Sequence, residues 1–271
     1  MKRFLMFTGF VLTLLPASFA QAVPTLQVGA PAGSGDSGIY ADYQSSLTNP
    51  TETDTAVTSG SVLFVAGAYK QTTDKLLGGQ YTDPSNPIIS GYNWSDLGFD
   101  PVFDSHRAVL MATIPDGTMG TGIVKINGLN PFYTSGIYEQ GFVVPNPPAN
   151  HDPIKDQDYL FFDIGDFARL IKVPNLSTEI LGQQMGEIKT LAVTVNGYDW
   201  VHFDAFALMT DVEMTVNGKR KTKLITIGTD EVGNPGSKDV TWKKVPEPGT
   251  LLLLGSGLLG LALNRRKKSG K

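Results

Sequence analysis

The stretch 187–227 reads EIKTLAVTVNGYDWVHFDAFALMTDVEMTVNGKRKTKLITI, and its punctuation decides the fold. Thr194-Val195-Asn196-Gly197 returns as Thr215-Val216-Asn217-Gly218. Asn-Gly is the preferred pair for a type I′ turn, because both central residues need positive φ. The flanking runs are rich in Val, Ile, Thr and aromatic residues, the composition of strands. The spacing predicts a meander of four antiparallel strands over 187–195, 198–209, 211–216 and 221–227. Within 201–209, alternation places Val201, Phe203, Ala205, Ala207 and Met209 on one face. Trp200, His202, Asp204, Phe206 and Leu208 fall on the other. Both faces carry apolar bulk, so this strand is expected to be covered on both sides.

Upstream, runs of the same kind predict strands at 61–69, 107–114, 122–126, 136–144 and 159–162. Helical signals are confined to 164–170 and, more weakly, 179–185. Parallel α/β architecture needs about a dozen residues of crossover between strands, and these are lacking. The expectation is an all-β chain, an antiparallel β-sandwich of jelly-roll type over 23–228. Residues 29–58, rich in Gly, Ser, Thr and Asn, read as a long loop carrying some strand. Residues 229–244 read as a polar spacer. The chain has no cysteine, which excludes thiol catalysis, iron–sulfur clusters and Cys-zinc sites. Stability must come from a core, which 223 residues (23–245) are enough to build.

Both ends are greasy and basic. Lys2 and Arg3 precede an apolar run over 4–15, Pro16 breaks it, and small residues follow. This is the order of a secretory signal peptide over 1–22, cleaved by signal peptidase after Ala20 or Ala22. At the other end, Pro246-Glu247-Pro248-Gly249 leads into an apolar run over 250–263, closed by Arg265, Arg266, Lys267 and Lys268. As a helix, fourteen residues at about 1.5 Å each span roughly 21 Å, short of the hydrocarbon core of about 30 Å. Bilayer thinning and snorkelling of the basic residues make up the difference. The basic cluster acts as a membrane stop and stays on the cytoplasmic side, leaving the preceding domain outside. Pro246 and Pro248 lack amide donors and hold the motif extended.

Removing both ends changes the charge. The whole chain carries 22 basic and 26 acidic residues. Taking away two basic residues from 1–22, and five basic and one acidic from 246–271, leaves 15 against 25, a net of −10 for 23–245. Nucleic acid is not the partner of such a surface, since phosphate binding needs an excess of Lys and Arg.

The tail, with Val245 to Thr250, the leucine-rich run and the Arg-Arg-Lys-Lys end in order, resembles a PEP-CTERM sorting signal. The resemblance is confined to about the last 26 residues. It implies recognition by an exosortase, a membrane-embedded transpeptidase of Gram-negative bacteria that make exopolysaccharide. Pro246, Glu247 and Pro248 would be the residues recognised. The implied route passes through the inner membrane and periplasm to the cell surface or extracellular matrix. Proteins with this tail are otherwise diverse, so it implies an address and no activity.

Chemistry is sparse elsewhere. There is no G-x-S-x-G elbow, H-E-x-x-H helix, Walker loop or Rossmann fingerprint, and a non-enzymatic domain is expected. Asp152, Asp156, Asp158, Asp163 and Asp166, with His151, form an acidic stretch from which a loop could ligate Ca²⁺. The EF-hand pattern fails there, and a solvated loop is the simpler reading. Asp96, Asp100, Asp104 and His106 form a second, looser cluster. The three histidines, His106, His151 and His202, show no ligand spacing, although His202 and Asp204 share a strand face and could form an acid–base pair. Tyr92 and Trp94, with Tyr81, Phe99 and Phe103, lie among Gly, Asn and Asp. They read either as a sugar-stacking surface or as rings plugging the end of the fold. Three functions follow: a structural envelope or matrix protein, a carbohydrate-binding or adhesive module of exopolysaccharide, or a glycoside hydrolase using Asp156 and Asp163.

Overall fold

A computed structural model describes residues 26–44, 55–69, 76–77, 94–97, 99–135, 157–214, 220–229 and 239–244. The predicted signal peptide, the strand expected at 136–144 and the apolar run 250–263 lie outside them. The described chain is all-β. Apart from two 3-10 turns, Trp94–Leu97 and Pro101–Ser105, its regular elements are strands in two sheets. Among the described residues, no helix is long and apolar enough to cross a membrane.

The first sheet runs β1 (Leu26–Gly29), β4 (Val62–Ala68), β11 (Leu181–Asn196), β10 (Ile171–Pro174), with β7 (Ile123–Ile126) on the far end of β11. The second runs β2 (Tyr43–Gln44), β3 (Thr55–Thr58), β14 (Asp239–Lys243), β12 (Trp200–Met214), β6 (Ala108–Ile114), β9 (Asp158–Asp163), β8 (Tyr133–Ser135). On β12 it also carries β13 (Arg220–Thr229) and β5 (Leu76–Leu77). Among the described residues every strand pair is antiparallel except β3 with β14, which is parallel.

The strands expected at 61–69, 107–114, 122–126 and 159–162 are present as β4, β6, β7 and β9. The meander is not. β11 and β12, on either side of Asn196-Gly197, belong to different sheets and do not pair. Only Gly197 takes positive φ there (+85°), whereas Asn196 does not, so the turn is not type I′. Gly197 fits because a Cβ on it would sit 2.8 Å from Gly122 Cα. This Asn-Gly is a corner between sheets. The two strands expected at 198–209 and 211–216 are one continuous β12, whose register with β13 shifts after Met209. Beyond it, Met214 faces Arg220 across the ladder, so β12 and β13 do form an antiparallel pair around the second Asn-Gly.

Neither expected helix forms. Residues 164–170 run irregularly: Gly165 takes φ +67°, its N–H is accepted by Asp163 Oδ1 at 2.9 Å, and Phe167 is fully buried. Residues 181–185 open β11, where burial alternates with period 2. Glu179 takes φ +57°, and its Oε1 accepts from the Ile39 and Tyr40 amides at 2.6 and 3.2 Å, pinning the 30–41 segment. The spacer expected at 229–244 is interrupted too, because Asp239–Lys243 is β14, laid between β3 and β12 with Val240 fully buried. Its alternation, Asp239, Val240, Thr241, Trp242, was the signal.

The main apolar cluster draws on both sheets: Leu26, Val28, Leu63, Val65, Leu191 and Val193 from the first, Leu110, Phe162, Val201, Phe203, Ala205 and Val240 from the second. Burying each Leu, Val or Phe is worth about 1.5–3 kcal/mol. The opposite face of the second sheet is also covered. There Phe206 and Leu208 of β12 pack with Val109, Met111, Tyr159, Phe161, Trp94, Phe99 and Phe103. The two-sided cover expected of residues 201–208 is what the strand has.

Candidate functional site

The buried outer face of β12 continues from these rings into a polar patch. Register builds it. His202 stands between Thr113 of β6 and Thr241 of β14. Phe203 pairs with Val240, so one rung further on Asp204 comes beside Asp239, which in turn stands beside Thr55 of β3. Partners directly opposite share a face. All six side chains are fully buried.

The geometry is close. His202 Nδ1 lies 2.9 Å from Thr241 Oγ1, and Thr55 Oγ1 lies 3.4 Å from both that hydroxyl and the Asp239 carbonyl. The other imidazole nitrogen, Nε2, faces the acids, 3.4 Å from Asp204 Oδ1 and 3.8 Å from Asp239 Oδ2. One donor atom from each of the three residues lies within 4.8 Å of the others. Two carboxylates and one imidazole carry net negative charge even with the ring protonated, and each buried ion loses several kcal/mol of hydration. Like charges on facing strand positions repel as well. The His202–Asp204 pair has no exposed surface.

Sequence reading found His202 and Asp204 on one face but missed Asp239, Thr241, Thr55 and Thr113. Asp239 and Thr241 fall in the stretch whose composition reads as a polar spacer. Which strands flank β12 is set by tertiary pairing, and local pattern does not carry it.

The acidic stretch does not converge. Asp158 and Asp163 sit at opposite ends of β9, about 17 Å apart by strand rise and, five residues apart, on opposite faces. Asp158 is buried and its Oδ2 accepts from the Met119 amide at 3.0 Å, while Asp163 is exposed beside His106 Nδ1 at 3.3 Å. Asp166 lies in the irregular link after β9. Asp152 and Asp156 lie outside the described residues. The second cluster has local work: Asp100 caps the 3-10 turn through Val102 N–H at 2.9 Å, and Asp104 accepts from Ser95 N and Oγ at 2.8 and 2.7 Å.

Trp94 corrects the sugar-stacking expectation. It is fully buried, edge-on to Phe99 with centroids 4.9 Å apart, and its Nε1 donates to the His106 carbonyl at 2.6 Å. The gap beside it, lined by Phe99, Phe103, Val109, Phe161 and Phe206, is about 10 Å³. At most one water fits such a volume, so no sugar ring stacks there. Tyr92 lies outside the described residues. Among other titratable groups, Tyr69 is notable: burial pushes its hydroxyl up to about 12, and the group donates to the Phe167 carbonyl.

The tail begins beside the last described strand. β14 closes at Lys243, and the Lys244 amide still donates to the Asp199 carbonyl at 2.9 Å. Residues 244–267 match the PEP-CTERM protein-sorting motif. No curated protein and no solved structure matches the chain. Pro246, Glu247 and Pro248 therefore follow within a few residues of the last described strand.

Proposed function

We infer that the C-terminal sorting motif marks an exported protein handled by an exosortase. We propose that it is a non-enzymatic envelope or extracellular-matrix protein, cut at Pro246-Glu247-Pro248 after crossing the inner membrane. Its β domain is a jelly-roll-like sandwich that serves as a structural or binding unit. The sandwich reading is supported by the apolar cluster shared between the two sheets. One observation carries the functional reading: the sorting motif starts on a residue hydrogen-bonded to the β domain. Sorting therefore delivers the folded domain itself, with hardly any linker between it and the enzyme in the membrane. A net charge of −10 over 23–245 keeps such a domain soluble and repels it from anionic lipid.

The reading is tested by replacing Pro246, Glu247 and Pro248 together with alanine in the native cell. The variant should accumulate in the inner-membrane fraction with its tail intact, while the unaltered protein moves to the surface or medium. Identical distribution of the two would overturn the sorting role of the motif.

A further inference from the structure

We propose that His202, Asp204 and Asp239 bind a divalent ion of the zinc class inside the β domain. The donor set points to this class: an imidazole nitrogen suits Zn²⁺ and its neighbours, whereas Ca²⁺ takes oxygen ligands. The spacing agrees. Two ligands at about 2.1 Å from one tetrahedral ion stand about 3.4 Å apart, the separation of His202 Nε2 and Asp204 Oδ1. The 3.8 Å from Nε2 to Asp239 Oδ2 corresponds to a wider angle of about 130° with the same bonds.

Two neighbours complete the arrangement. Thr241 Oγ1, 2.9 Å from Nδ1, accepts the Nδ1 proton and turns the Nε2 lone pair toward the acids, the usual outer-shell role beside a metal-bound histidine. Thr113 is an independent pointer. It stands opposite His202 on the same face and is fully buried, and among the described residues its hydroxyl has no hydrogen-bond partner. A buried hydroxyl is costly unless it bonds. A water completing the ion's shell beside His202 would take that bond. Being wholly enclosed, the site is structural: it ties β12 to β14, the strand that leads into the sorting tail.

The test uses the mature exported protein, stripped with a chelator and titrated with Zn²⁺ alone, with Ca²⁺ in a parallel titration. One equivalent of Zn²⁺ should bind. At free Zn²⁺ 100-fold above Kd, the melting temperature should rise by roughly 5–10 °C. Asp204→Asn and Asp239→Asn, close in shape to the native side chains, should each weaken Zn²⁺ binding at least 100-fold. Thr113→Val should weaken it by 10–100-fold. If the stripped protein takes up no Zn²⁺ and melts unchanged, the site is a proton-sharing cluster and the proposal fails. A response to Ca²⁺ but not Zn²⁺ overturns the class of ion. Because these readouts come from the unaltered protein, a variant that misfolds does not shield the proposal.

Discussion

Replacing Trp94 by alanine should lower the melting temperature of the β domain by roughly 6–20 °C. Trp→Ala in a closed core costs about 3–5 kcal/mol, and a domain of this size loses about 2–4 °C per kcal/mol. Trp94 earns the upper part of that range because two effects add. Its ring packs at 4.9 Å on Phe99 and 6.2 Å on Phe103, sealing the outer face of the second sheet. Its indole N–H also donates to the His106 carbonyl, a bond the truncation removes. Trp94→Phe keeps most of the apolar contact and should cost markedly less. Thermal melting with near-ultraviolet circular dichroism reads both variants. The sugar-stacking reading expects the opposite, an alanine variant that melts normally and loses glycan binding.

Gly186→Ala should be nearly as damaging. A Cβ on Gly186 would stand 1.9 Å from the Gly67 carbonyl oxygen of the neighbouring strand and 2.8 Å from Val173 Cγ2. The first of these is backbone, so no rotamer change relieves it. β11 must pull away from β4, opening the ladder that runs from Gly186–Ala68 to Ala192–Val62. Overpacking of this kind costs about 1–3 kcal/mol and occasionally more, and a backbone clash belongs at the top, a loss of roughly 6–12 °C. Gly67 makes a useful contrast. A Cβ there would meet the Phe167 ring at 2.6 Å, a side chain that a smaller residue can replace. Gly67→Ala should therefore be rescued in part by Phe167→Leu, while Gly186→Ala should not. Equal rescue of both would show that the close approach of β4 and β11 is not rigid.

What could be read in advance follows a physical division. Period-2 alternation is local, so β4, β6, β7, β9 and the two-faced character of β12 were legible from apolar spacing. Pairing is not local. Asn196-Gly197 signals a reversal of the chain, and the chain does turn there, but Gly197 closes against Gly122 and sends β12 into the other sheet. Composition misled where a short polar segment was also a strand. Asp239, Thr241 and Lys243 suggest a spacer, yet Val240 and the neighbouring β3 hold the segment in the core. The helical signals at 164–170 and 179–185 lost to Gly165 and Glu179 in left-handed backbone. The site shows the same division. His202 and Asp204 are two apart on one strand and were visible as a pair, whereas Asp239 reaches them only across a ladder spanning 35 residues of sequence. The sorting motif was legible because it is a linear signal carried by consecutive residues.

Intact-mass spectrometry of the protein extracted from the envelope and medium of its native cell bears most directly on all of this. The expected species starts just after Ala20 or Ala22 and has lost the apolar run 250–263 together with Arg265, Arg266, Lys267 and Lys268. A surface-exposed species with the mass of all 271 residues, both ends intact, would contradict it.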